Sequence, residues 1–246
     1  MKIHLFTPCW NEMRILPFVV DYWKEFADKV TVWDNGSTDG TLEYLAQFPW
    51  IEVKHFETSG QNNAVIRDMK NACWKDDDAD WIICCDLDEM LYAKEGVRKV
   101  LEDCEKLGIG LIYPNWYVIV SDEIPKYDGR LLHEIRPLWY HNQKEAKPLI
   151  FQPKYFTNMN FCAGQHKCSP VYKGEKCITM KGGAIYCLHT EGRLSLDYFI
   201  DKCHMRAKRR SQADINNKYG YHYGRPDDQI RREWKMMHDN AETLDL

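Results

Sequence analysis

The stretch WIICCDLDEML, residues 81–91, carries five apolar residues straight into Asp86, Asp88 and Glu89. An unbroken apolar run of this length suits a strand covered on both faces, as in the middle of a parallel sheet. Three carboxylates at its end repel one another unless something cationic joins them. They read in one of two ways. They are early-turn acids favoured by the dipole of a following helix, or they hold a divalent metal and a ligand. Strand alternation predicts that Asp86 and Asp88 turn to one side at the carboxyl end of a central buried strand and that Glu89, of opposite parity, is a supporting acid.

On either side of this stretch, strands are read at 2–7, 30–33, 51–56, 81–85 and 111–120, with another at 184–188. Helical spacing runs through Ile15, Leu16, Phe18, Val19, Tyr22, Trp23 and Phe26, and again over 61–75, 94–107, 195–213 and about 227–238. Strands and helices alternate over the first 107 residues, which predicts an α/β fold with a doubly wound, mainly parallel sheet. Residues 121–182 are rich in Pro, Gly, His and aromatic residues and predict short strands at best. The tail beyond Asp239 is expected to fray. The expected organisation is one domain, 1–246. Its first half, 1–120, binds the ligand, and a more irregular half, 121–246, ends in helices.

Composition narrows the class. Of 246 residues, 44% are hydrophobic, enough for a substantial core. With 33 basic and 37 acidic residues, the net charge of −4 argues against a nucleic-acid partner. The sequence predicts no transmembrane segment and no signal peptide, hence a cytoplasmic protein. Ten cysteines include no Cys-x-x-Cys pair. The Cys162, His166, Cys168, Cys177, Cys187, His189 group matches no familiar zinc spacing, so free thiols are expected.

Ligands of open parallel sheets bind beyond the carboxyl ends of the strands. Thr7, Asn11 and Glu12 follow the first strand there, Asp34 the second, and Asp86 and Asp88 the fourth. No Gly-rich dinucleotide fingerprint or phosphate loop is present, so a phosphate-bearing ligand would need a metal and basic side chains.

Taken together, Thr-Pro-Cys-Trp-Asn-Glu (7–12), Asp-Asn-Gly-Ser-Thr-Asp-Gly-Thr (34–41) and Cys-Asp-Leu-Asp-Glu (85–89) resemble the motifs of family 2 glycosyltransferases of the GT-A fold. The resemblance covers about residues 1–120. It implies a nucleoside-diphosphate-sugar donor, usually a UDP-sugar, and Mn²⁺ or Mg²⁺. Thr7, Asn11, Glu12 and Asp34 would then lie on the donor side and Asp86 would touch the ribose. Asp88 would hold the metal, with Asp86 beside it. Lys70-Asn71 stands where the family usually has Arg-Asn, on the phosphate side. Less specifically, Gly164-Gln165-His166-Lys167, and Leu188-His189 followed by Ser195 and a basic helix, resemble features of relatives that act on surface glycans. His189 would complete the metal shell, His166 would contact acceptor or diphosphate, and Lys202 and Arg206 would bind diphosphate.

An inverting transfer needs a carboxylate to take the acceptor proton. Glu123 is the first choice, with Asp122 and Glu191 as alternatives. The acceptor would be a glycan or a lipid-linked sugar of polysaccharide biosynthesis, reached by peripheral contact at the inner face of a membrane. A sugar nucleotidyltransferase, or a non-catalytic glycan-binding or zinc-binding module, are the rival readings.

Overall fold

The computed structural model describes residues 1–244. The first half alternates as its hydrophobic periods require: β1 (Ile3–Cys9), α1 (Leu16–Lys24), β2 (Lys29–Asp34), α2 (Thr41–Leu45), β3 (Ile51–His55), α3 (Asn63–Ala72) and β4 (Trp81–Cys84). These four strands pair in parallel in the order β3-β2-β1-β4. All four residues of β4 are buried, as the apolar run demands. Pro17 sits in the first turn of α1, where its missing N–H costs no hydrogen bond. Phe18, Val19, Tyr22 and Trp23 of that helix are buried in the main core. Burying each such apolar side chain contributes roughly 1.5–3 kcal/mol.

After β4 the chain departs from expectation. No helix follows the carboxylates directly. They occupy a turn that leads into a short strand, β5 (Glu89–Tyr92), and α4 (Val97–Lys106) starts only after Gly96, whose φ of +85° breaks the backbone direction. A helix dipole therefore does not explain the three acids. β6 (Ile109–Ile119) comes next.

Then come α5 (Leu132–Ile135), β7 (Leu138–His141), β8 (Ile150–Phe151), β9 (Phe156–Asn158), β10 (Val171–Tyr172) and β11 (Ile178–His189). The described chain closes with α6 (Leu196–Arg209), α7 (Gln212–Asn216), α8 (Asp227–Asp239) and β12 (Glu242–Thr243). β8 slots antiparallel between β4 and β6, so β4 stays central. β11 pairs in parallel with β6 and antiparallel with β5, and the sheet remains mainly parallel.

Three further expectations are corrected. β11 begins six residues earlier than read, because Gly182 and Gly183, both at positive φ, form an irregularity inside the strand rather than its end. The helix read over 195–213 is two helices, since the backbone of Arg209 and Ser211 pairs with Gln61 instead of continuing the helix. The tail is held by β12 against β7; residues 245–246 lie outside the described part.

Candidate active site

The turn beyond β4 is built from its own backbone. Glu89 N–H donates to the Asp86 carbonyl at 3.0 Å, and Asp86 N–H donates back to the Glu89 carboxylate at 2.8 Å. Glu89 is fully buried, and its charge is met by Lys147, itself only 5% exposed. Lys147 Nζ also donates to Asp86 Oδ2 at 2.7 Å, while Lys70 Nζ from α3 donates to Oδ1 at 2.7 Å. Two ammonium groups thus compensate two carboxylates. Burial raises the Asp86 carboxyl, but Lys147 and Lys70 outweigh it and hold the group well below the usual carboxylate range. Gln165 completes the cluster: it accepts from Lys70 at 2.8 Å and donates to the Cys84 carbonyl at 2.8 Å.

Asp88 has different surroundings. It is 4% exposed, and its Oδ2 has no hydrogen-bond partner among the described residues. His189 Nε2 lies 3.5 Å from Oδ1 and Arg206 Nη2 3.6 Å from Oδ2. The sheet explains the approach of His189. β11 runs antiparallel to β5, placing His189 opposite Glu89, and Thr190 N–H donates to the Asp88 carbonyl at 3.0 Å. Burial raises the Asp88 carboxyl, yet His189, Lys202 and Arg206 hold it far below its ordinary value. The expected repulsion among the three acids is therefore already offset by the chain's own cations.

Lys202, buried on α6, donates to both oxygens of Glu12 at 3.0 and 2.9 Å, tying the loop after β1 to the second half. Around these groups opens a cleft of about 760 Å³. Its walls include Glu12, Lys70, Asp86, Asp88, His166, His189, Glu191, Lys202 and Arg206. The structure thus gathers these nine candidates at one place.

The other candidates lie off the walls. Thr7 is buried and donates to the Pro8 carbonyl at 3.2 Å. Asp34 is fully buried, accepting from the Gly36 and Ser37 amides at 2.9 and 3.1 Å, with His55 Nδ1 at 3.5 Å. Its carboxylate thereby holds the turn that ends β2. Asn11 takes φ +52° and accepts from the Thr38 amide at 2.7 Å, bracing the two loops against each other. Asn71 grips the Phe161 backbone through both side-chain atoms, at 2.8 and 3.2 Å. Asp122 points to His238 at 3.5 Å, and Glu123 is exposed beside Arg136 at 4.0 Å. Neither faces the cleft. Of the three carboxylates considered as base, the cleft contains Glu191, held at φ +45° and paired with Arg193.

Lys147 and Arg193 escaped the sequence reading. Each is a single cation in an irregular stretch, with no period or motif to flag it; only the long-range pairing of β8 and β11 brings them in.

Among the described residues no three His, Cys, Asp or Glu side chains converge on one metal position, and both Asp86 oxygens are taken by lysines. Asp88 and His189 nevertheless fit Mn²⁺ or Mg²⁺ as a two-ligand site: a buried carboxylate oxygen accepts no hydrogen bond among the described residues, its nearest cation being Arg206 at 3.6 Å, and such ions take few protein ligands and fill the rest with water and phosphate oxygens.

The family model for Glycosyl transferase family 2 matches residues 5–167, from β1 through the Gly164–Lys167 loop. The chain belongs to family 2 of the glycosyl transferases. Its mainly parallel sheet is that of a GT-A enzyme of this family. Among solved structures it is similar to S. aureus TarS 1-349, at 12% identity and TM-score 0.43, over 97% of this chain and 72% of that one. It is also similar to the mannosyltransferase PcManGT from Pyrobaculum calidifontis in complex with GDP-Man and Mn²⁺, at 13% identity and TM-score 0.40, over 96% and 73%. A 4-diphosphocytidyl-2C-methyl-D-erythritolsynthase from Anaerococcus prevotii shares 10% identity at TM-score 0.36, over 62% of this chain and 70% of that one. No curated protein matches the sequence. As a family 2 glycosyl transferase, the chain has its carboxylate turn at the carboxyl edge of a central strand, where such a fold places ligands.

Proposed function

We propose that this glycosyl transferase moves a sugar from a nucleoside-diphosphate sugar, taken to be a UDP-sugar, to a glycan or lipid-linked acceptor with inversion. The observation that carries the reading is the buried Oδ2 of Asp88 on the cleft wall, which accepts no hydrogen bond among the described residues and has the Arg206 guanidinium 3.6 Å away, with His189 beside the other oxygen. Asp88 and His189 would hold Mn²⁺ or Mg²⁺, which when bound supplies electrostatic stabilisation to the leaving diphosphate.

The chain's own residues account for the rest. Lys202 and Arg206, on one face of α6, offer cationic groups for the diphosphate on the wall of the cleft. Asp86 is held by its two lysines, so it serves the ribose or the turn rather than the metal. Thr7, Asn11, Asp34 and Asn71 act indirectly, by fixing the loops around the donor. In the transfer, an acceptor oxygen bonds to the anomeric carbon as the carbon–oxygen bond to the diphosphate breaks, its electron pair leaving with the diphosphate. The acceptor proton goes to Glu191, the candidate carboxylate on the cleft wall; this replaces Glu123 as first choice.

No helix among the described residues is long and apolar enough to cross a membrane. A lipid-linked acceptor would therefore be met by peripheral contact, on the cytoplasmic side in our reading. The test is a screen of nucleotide-sugars for Mn²⁺-dependent release of free nucleoside diphosphate. Release from a UDP-sugar supports the reading; release from none of a full set of nucleotide-sugars would reject it.

A further inference from the structure

Past Arg206 the cleft continues along a segment that donor chemistry does not use. Between α7 and α8, Lys218 and Gly220 both take left-handed backbone, at φ +57° and +60°, and Tyr221–Gly224 forms one turn of 3-10 helix. Gly220 is required there, since a Cβ would meet the Tyr223 ring at 3.0 Å. This turn sets three rings in a row. Arg206 lies over the Tyr223 ring at 5.3 Å and donates to its hydroxyl at 3.3 Å. His222 is 4.2 Å from Tyr223, and Tyr221 is 5.8 Å beyond His222. Because Arg206 also reaches Asp88, the row starts at the candidate reaction centre and runs outward along the cleft wall.

Its outermost ring has no packing role. Tyr221 is 72% exposed although it lines the cleft. Strained backbone that presents an uncovered aromatic ring to a pocket is a common feature of binding loops. The neighbouring wall is neutralised internally: Glu233 takes Arg193 and Arg225, and Arg193 also pairs with Glu191. What remains for recognition is mainly ring faces and hydroxyls. Lys218 at the rim makes no ion pair among the described residues, so an anionic sugar is the competitor that a test must separate.

We propose that Tyr221, His222 and Tyr223 form the acceptor subsite, and that it takes a neutral pyranose whose apolar face stacks on Tyr221. The proposal rests on the glycosyl-transfer reading and narrows its acceptor. A pyranose offers a flat C–H face and a rim of hydroxyls, matching an amphipathic aromatic wall.

The test uses the whole chain with UDP and Mn²⁺ present. Methyl glycosides of glucose, galactose, mannose and N-acetylglucosamine, with methyl glucuronide as the anionic arm, are titrated by ligand-observed NMR. At least one neutral glycoside should bind, Tyr221→Ala should weaken it about tenfold, and Tyr221→Trp should keep it. UDP binding reports that each variant is folded. The proposal is overturned if UDP binds but no neutral glycoside does, if the glucuronide binds more tightly than all of them, or if Tyr221→Ala binds like wild type. Absence of UDP binding in the wild type would instead remove the donor reading, and the subsite with it.

Discussion

Asp86 carries an ammonium group hydrogen-bonded to each oxygen, whereas Asp88 keeps one buried oxygen that accepts no hydrogen bond among the described residues. The Asp-x-Asp spacing alone treats them as equivalent; their neighbours do not. Lys147→Met tests this division. It leaves Glu89 buried without its cation, and removing one partner of a buried pair costs roughly 3–5 kcal/mol. Denaturant unfolding should show that loss, and adding Glu89→Gln should recover much of it. Full stability of Lys147→Met would mean that the cluster holds nothing together. For the base, Glu191→Gln should lower transfer by about 10²–10⁴-fold while UDP still binds, and Glu123→Gln should stay near wild type. The opposite ranking, read from initial rates, would return the role to Glu123. The place of Asp86 and Asp88 at the end of a buried strand was legible because an apolar run that ends in acids is hard to explain by packing. Lys147 was not, because nothing local marks a lone lysine before Pro148 as buried.

The junction of α6 and α7 shows how tertiary contact overrides a helical period. Gln61 N–H donates to the Arg209 carbonyl at 2.6 Å and Ser211 N–H to the Gln61 carbonyl at 2.9 Å. Asp214, fully buried, accepts from the Asn63 amide at 2.9 Å and from its side chain at 2.6 Å. This seam passes so close to Gly60 that a Cβ there would lie 2.2 Å from the Arg209 carbonyl oxygen. Gly60 also takes φ +78°. Gly60→Ala should therefore destabilise the protein by at least about 1–3 kcal/mol, visible as a lowered Tm. An unchanged Tm would show that the seam is loose. Residues 195–213 carry a sound helical pattern, so no sequence rule finds the break at Arg210. It exists because Gln61 supplies a better partner for that backbone. The same limit hid β5 and the start of β11, whose pairings are long-range.

Across the molecule, the first half was readable because parallel strands and covering helices repeat a simple alternation. The second half was not, since β8 inserts as a two-residue strand between β4 and β6 and depends on both. The two halves meet at the cleft through Glu12 with Lys202, Lys70 with Gln165, and Asp88 with His189 and Arg206. Each of these contacts joins a group of the first half to one of the second. In the proposed function Asp88 and His189 present a metal to a nucleotide diphosphate in this cleft. Calorimetric titration of UDP into wild type and Asp88→Asn, each with Mn²⁺ and with chelator, tests it most directly. Tight binding is expected to the wild type only with Mn²⁺, with no gain from Mn²⁺ in Asp88→Asn. Equal UDP affinity in chelator, or a full Mn²⁺ gain in the folded Asp88→Asn variant, would contradict it.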